Sequence, residues 1–276
     1  MEYVTFNNGV KIPMLGFGVY KLEEGPECVD RVKLALKEGY RSIDTAAVYG
    51  NEKSVGQAIR ECGLPREEIF LTTKLWNDEQ RRGDVQEAFD QSLARLGLDY
   101  IDLYIIHWPC EDHYEKAWLA LEKIQQSGKA RAVGISNFQK HHIDVIKKSW
   151  NIIPALNQIE LHPILTQKPL LQYCRDEKIA VQAWSPLGGD RPMQERIFSS
   201  EAIIKIDEKY RKSPAQIVLR WNIELGIITI PKSGNPGRIR ENFNIFDFAL
   251  TPEELAIIDA LNQNERGGPD PDNFEF

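Results

Sequence analysis

Short apolar runs alternate along the chain with longer stretches whose apolar positions recur at helical spacing. The runs are Leu15 to Tyr20, Tyr40 to Asp44, Ile69 to Lys74, Tyr100 to His107, Ala130 to Ser136, Ala155 to Glu160, Ala180 to Ser185 and Gly226 to Ile230. Runs of this length between helical segments predict strands of a parallel sheet, because each return to the sheet passes through a crossover helix. Eight such units within 276 residues predict a closed (β/α)8 barrel, a TIM-type fold built as a single domain over residues 1–276. Each run ends in or near a polar or reactive side chain: Asp44, Lys74, His107, Ser136 with Asn137, Gln158, Ser185, and Lys232 with Ser233. Barrel active sites gather at the C-terminal strand ends, so these distant residues should converge.

Punctuation supports this reading. Asn8-Gly9 between Tyr3 to Phe6 and Val10 to Ile12 predicts a β-hairpin, since Asn-Gly supplies the positive φ of a tight turn. It precedes the first barrel strand and is placed to close the barrel's N-terminal end. Asp84 is positioned to cap a helix through Ala88 to Leu96, with Gly97 as its stop. Gly128 should end a helix from Tyr114 to Gln126. Ser213-Pro214 and Thr251-Pro-Glu-Glu254 read as helix starts, the second as a capping box. Gly267 to Phe276, rich in Pro, Gly and Asp, reads as an irregular tail.

Composition narrows the classes. A formal net charge of −7 disfavours nucleic acid, whose phosphates require a basic surface. No apolar run reaches the ~18 residues of a membrane span, and the first residues lack the basic and apolar regions of a secretory signal. The expectation is a cytoplasmic protein acting on a small molecule. Cys28, Cys62, Cys110 and Cys174 are scattered and read as reduced thiols. Cys110, just past His107, is either an ordinary loop residue or an oxidisable thiol at the mouth. No metal is expected: His141 and His142 adjoin on a helix and should not share a face, and His113 and His162 have no partner at ligand spacing.

Asp44, Tyr49, Lys74 and His107 form a sensible proton-donating set. A free phenol, with a pKa of about 10, is too weak an acid at neutral pH. A neighbouring ammonium lowers that value, and Lys74 is expected to do so while paired with Asp44. His107 can direct a substrate carbonyl. Each residue alone is more often structural or solvated; their occurrence near successive strand exits is what carries the reading. Such an acid needs a hydride source, yet Gly16-Phe17-Gly18 is followed by Lys21 where a Rossmann fingerprint needs its third glycine. A different phosphate site is suggested by Ile230 to Asn242. There Asn235 and Pro236 open a helix, its free N–H groups favour an anion, and Lys232, Ser233 and Arg238 add donors suited to a 2′-phosphate. Trp184 is placed to stack on a nicotinamide ring, with Ser136, Asn137 and Gln158 near its carboxamide. Tyr20, Trp76 and Trp108, with His107, would wall the substrate pocket.

The segments Gly39 to Glu52, Leu98 to Tyr104, Ile135 to Phe138, Asn157-Gln158 and Ile230 to Asn242 together resemble the aldo-keto reductases over essentially the whole chain. They are most similar to the short microbial and protozoan branch, which includes glyoxal and methylglyoxal reductases, 2,5-diketogluconate reductases and a protozoan prostaglandin F synthase. The resemblance implies a monomeric, NADPH-dependent reductase of aldehydes and some ketones, with Asp44, Tyr49, Lys74 and His107 as catalytic tetrad. It places Ser136, Asn137, Gln158 and Trp184 at the nicotinamide and Ser185 and Leu187 along the pyrophosphate. Lys232, Ser233 and Arg238 would take the 2′-phosphate, and Glu241 and Asn242 the adenine. Trp184 stands where many members carry tyrosine. The segment Trp108 to Tyr114 is shorter than in the mammalian aldose reductase type, so the pocket should be open and permissive. Two competing readings remain: a non-catalytic NADPH-sensing interaction subunit, and a cofactor-free lyase using Lys74 as a Schiff base. The second leaves the Lys232 to Asn242 segment without a role.

Overall fold

The computed structural model describes residues 1–273. Two antiparallel strands, β1 (Tyr3–Thr5) and β2 (Lys11–Pro13), form the predicted hairpin. Eight strands follow: β3 (Phe17–Gly18), β4 (Ser42–Asp44), β5 (Phe70–Leu75), β6 (Ile101–Ile106), β7 (Ala130–Ser136), β8 (Leu156–Glu160), β9 (Ala180–Trp184) and β10 (Ile228–Thr229). All neighbours in this sheet are parallel and pair in chain order. Helices lie between and after them: α1 (Pro26–Glu38), α2 (Glu52–Glu61), α3 (Asn77–Arg82), α4 (Val85–Leu96), α5 (Tyr114–Gln126), α6 (Lys140–Lys147), α7 (Lys168–Asp176), α8 (Arg191–Phe198), α9 (Glu201–Tyr210) and α10 (Pro214–Glu224), with α11 (Pro236–Phe243) and α12 (Pro252–Asp259) following β10. The fold is a (β/α)8 barrel. Among the described residues no helix is long and apolar enough to cross a membrane.

The first and last barrel strands are shorter than the apolar runs suggested. They meet through single bridges, Leu15 with Thr229 and Gly18 with Lys232, and the Gly16 amide donates to Thr229 O at 2.9 Å. Glycine fits a close approach along this seam. A Cβ on Gly16 would stand 3.0 Å from the Ile230 side chain and the Ser42 hydroxyl, and one on Gly18 would stand 3.0 Å from Ile230 O. Close approach of two backbones costs least where no side chain intervenes.

Side chains alternate across each strand. The inward set grades from apolar at the N-terminal end to polar at the C-terminal end. Phe70, Leu103, Ile105, Leu156 and Ile228 pack with Phe6 and Ile12 of the hairpin as a buried plug. Asp44, Lys74, Ser136 and Gln158 occupy the other end. The hairpin turn is tied beneath the barrel: Asn7 Nδ2 donates to Pro154 O at 3.0 Å and Lys178 O at 3.1 Å, and Asn8 Nδ2 to Arg131 O at 3.1 Å. A larger apolar layer fills the space between strands and helices.

The cap expectations largely hold. Ser213, Asn235 and Thr251 accept the amides of Gln216, Arg238 and Glu254, and Gly97 adopts the left-handed conformation at φ 63°. Asp84 precedes α4, but its carboxylate caps nothing; it accepts instead from Arg82 Nε at 3.2 Å. The tail is irregular as far as Asn273, and its last three residues lie outside the described residues.

Candidate active site

At the polar end of the barrel a cavity of about 750 Å³ opens. Lys74 projects inward from β5 and is fully buried. Its Nζ donates to Asp44 Oδ1 at 2.5 Å, to Thr45 O at 2.8 Å and to Tyr49 Oη at 3.3 Å. Tyr49 closes a 3-10 turn, Ala47–Tyr49, that ends on left-handed Gly50. Asn51 fixes this turn by donating to Val19 O and Leu22 O and accepting from Thr45 Oγ1. His107 follows β6, with its ring edge-on to Tyr49 at 5.7 Å and to Trp76 at 5.2 Å. Four residues expected near strand exits thus share one site, although Asp44 and Lys74 lie within their strands rather than beyond them.

The electrostatics differ from expectation at Tyr49. Its phenol is pushed well above its ordinary range, first by burial and then by the negative charge of Asp44 and the neighbouring Tyr20. The ammonium was expected to lower it. Lys74 spends its charge on Asp44, which is nearer, and burial draws the lysine itself below its usual value. His107 is held well below the usual imidazole range by burial and by Lys74, so it is neutral and keeps one N–H to donate. Among the described residues its buried Nδ1 has no hydrogen-bond partner.

Across the cavity the residues expected at a nicotinamide support one another. Ser136 Oγ donates to Gln158 O at 2.8 Å. Asn137, left-handed at φ 65°, donates to His107 O at 3.0 Å and accepts from Trp184 Nε1 at 2.8 Å. Gln158 Nε2 donates both to Asp44 Oδ2 and to Gln182 Oε1, each at 2.7 Å. Ser185, Leu187 and Lys232 continue along the lining. Ser233, Arg238, Glu241 and Asn242 do not line this cavity; they lie at and along α11, with Arg238 and Glu241 exposed.

Tyr20, Trp76 and Trp108 line the mouth. The Tyr20 ring lies 5.0 Å from Tyr49, and Trp108 stands edge-on to Trp184 at 6.4 Å.

A match to the aldo/keto reductase family covers residues 14–263. The chain belongs to the aldo/keto reductase family. Glyoxal reductase of Bacillus subtilis is 50% identical over 275 residues, spanning 100% of this chain and 98% of its own. The 9,11-endoperoxide prostaglandin H2 reductase of Trypanosoma cruzi is 49% identical, over 98% and 95% of the two chains. A Bombyx mori aldo-keto reductase solved in complex with NADP superposes with a TM-score of 0.91 at 40% identity, over 98% and 96%.

Within this aldo/keto reductase several lining residues carry no signal in the sequence. Lys21, left-handed at φ 62°, lines the cavity with Lys232. Burial and the charge of Lys21 together draw the Lys232 ammonium down. Two cations that destabilise each other in one wall fit an anionic group. Val48 and the Gly267-Gly268-Pro269 segment also line the cavity. In one dimension the glycine-proline segment is featureless tail, because only folding brings it beside Trp184.

Of the two readings of Cys110 the ordinary one holds: the residue is buried, and burial raises its thiol to about 11, which makes it a poor thiolate. One further expectation needs correction. His141 and His142 do converge, placing ligand atoms within 4.8 Å of each other and of Asp272. Helical neighbours meet here because His142 turns back over the start of α6, where its Nδ1 accepts the Gln139 amide at 3.1 Å. That bond leaves its other nitrogen protonated, which opposes metal ligation.

Proposed function

We propose that this protein reduces small aldehydes and some ketones to alcohols with NADPH. The observation that carries the reading is the meeting of Asp44, Lys74, Tyr49 and His107 at a cavity whose lining also holds Lys21 and Lys232. When bound, NADPH supplies the hydride that reaches the carbonyl carbon. Ser136, Asn137, Gln158 and Trp184 would hold its nicotinamide end and Ser185 and Leu187 its pyrophosphate. Lys232, Ser233 and Arg238 would take the 2′-phosphate, and Glu241 and Asn242 the adenine.

The protein's own groups then act on the carbonyl oxygen. Neutral His107 donates a hydrogen bond that fixes its direction. Tyr49 keeps its proton while the oxygen is a carbonyl, because burial holds the phenol high. It yields that proton once the oxygen carries the charge of an alkoxide. Lys74, anchored by Asp44 and Thr45 O, stabilises the phenolate left behind. Proton transfer of this kind is typically worth about 10²- to 10⁴-fold.

Glyoxal and methylglyoxal are the favoured substrates, supported by the identity to the glyoxal reductase and by the aromatic mouth. The Trypanosoma cruzi relative supports prostaglandin H2 as the second candidate. The test is NADPH consumption over methylglyoxal, glyoxal, p-nitrobenzaldehyde, xylose, 2,5-diketogluconate and prostaglandin H2, with NADH in parallel. Turnover of the dicarbonyls with NADPH well above NADH is expected. Tight NADPH binding without turnover on any carbonyl would instead favour a sensing subunit.

A further inference from the structure

Glu160 is the last residue of β8 and is 1% exposed. Its Oε1 accepts two successive backbone amides, Gly267 N at 2.7 Å and Gly268 N at 3.0 Å. His162 Nε2 stands 3.3 Å from the same oxygen. The second oxygen is buried without a hydrogen bond among the described residues, with the Arg266 guanidinium 4.0 Å away. A buried carboxylate is costly unless it is compensated, and here most of the compensation comes from one loop more than a hundred residues away in the chain.

That loop is fitted to its place. A Cβ on Gly268 would come 2.4 Å from Trp184 Cη2, and one on Gly267 would come 3.2 Å from both Glu160 Oε1 and Gly188 O. Gly267, Gly268 and Pro269 line the cavity with Trp184. The indole is therefore held at both ends, by Asn137 at its nitrogen and by Gly268 at its far edge. Beyond Pro269 the strap runs to Asp272, whose Oδ1 lies 3.1 Å from His141 Nε2 and 3.6 Å from His142 Nε2.

We propose that Glu160 is a positioning residue that fastens the 266–270 strap against Trp184 as one wall of the substrate pocket, and so sets substrate affinity rather than the rate of chemistry. This rests on the reading that the carbonyl substrate occupies this cavity. Hydrogen bonds to a charged acceptor resist opening by about 10- to 100-fold.

The experiment has two arms. Amide exchange at Gly267 and Gly268 is measured in the cofactor-free protein for wild type, Glu160→Gln and Glu160→Ala. Glu160→Ala should speed exchange by about 10- to 100-fold, and Glu160→Gln, which keeps an acceptor oxygen, should retain most of the protection. Steady-state kinetics with methylglyoxal should show KM raised by about tenfold in Glu160→Ala, with kcat within about twofold. If Glu160→Ala fails to fold, Gly268→Ala keeps the carboxylate but forces the strap off Trp184, and it should raise KM alike. Unchanged exchange in Glu160→Ala, or a fall in kcat at constant KM, would overturn the proposal. Should wild type reduce no carbonyl, the reductase reading fails, while the exchange arm still decides whether Glu160 holds the strap.

Discussion

Replacing Asp44 with Asn tests the buried pair at the centre of the site. Lys74 is fully buried, and its ammonium meets Asp44 Oδ1 at 2.5 Å. Without that charge the lysine must remain charged in a dry setting or lose its proton. Losing it from an ordinary value near 10.4 costs about 4–5 kcal/mol at pH 7. The figure agrees with the roughly 3–5 kcal/mol lost when one partner of a buried pair is removed. It is an upper bound, because Thr45 O at 2.8 Å still accepts from the amine. Gln158, which donates to the other Asp44 oxygen, can turn its amide to meet the new NH2. The sign with pH is distinctive. In the variant the folded state holds one proton fewer than the unfolded chain, so its stability rises with pH. Burial lowers Lys74 in the wild type as well, but Asp44 opposes the shift. The stability gap between the two proteins should therefore be widest near neutral pH. It should close by up to about 1.4 kcal/mol per unit until the wild-type lysine also releases its proton. Urea midpoints at pH 7, 8 and 9 measure it. A gap below about 1 kcal/mol, or one that widens with pH, would refute the reasoning.

Three further outcomes are expected. Tyr49→Phe should lower kcat by about 10²- to 10⁴-fold while NADPH still quenches tryptophan fluorescence; retained turnover would remove Tyr49 as the acid. Arg238→Ala should weaken NADPH by about 10- to 100-fold and leave NADH nearly unchanged, whereas equal weakening in titrations would place the 2′-phosphate elsewhere. The His142 imidazole is lowered to about 4 by burial and by His141, so the folded state refuses a proton that the unfolded chain accepts. Stability should fall as pH drops from about 6.5 toward 4. In His142→Gln, which keeps an oxygen for the Gln139 amide, that fall should be shallower; parallel curves would count against the assignment.

The barrel was legible because its parallel strands are covered on both sides and read as continuous apolar runs. The candidate tetrad was legible because Asp44, Lys74 and His107 interrupt or end those runs with groups that hydrophobic burial cannot explain. Strand ends were less so: β3 and β10 shrink to two residues each where the seam is closed by glycines and single bridges. Tyr49 showed how residue type alone misleads, since burial and the Asp44 charge outweigh the neighbouring ammonium while the phenol is intact. Lys21 and the Gly267 to Pro269 strap gave no signal in one dimension. Their meaning lies in what they face, Lys232 and Trp184, which stand far away along the chain.

The asparagine-tied hairpin beneath the barrel has a practical side. The first residues sit under the apolar plug, at the opposite end from the cavity, and Met1 is exposed. A tether attached there would leave the mouth facing solution and the strap undisturbed. A tether attached at the strap would pull on a wall of the pocket and on the Asp272 contacts to His141 and His142. An immobilised preparation anchored beneath the barrel should therefore keep the substrate preference of the free protein, and one anchored at the strap should not.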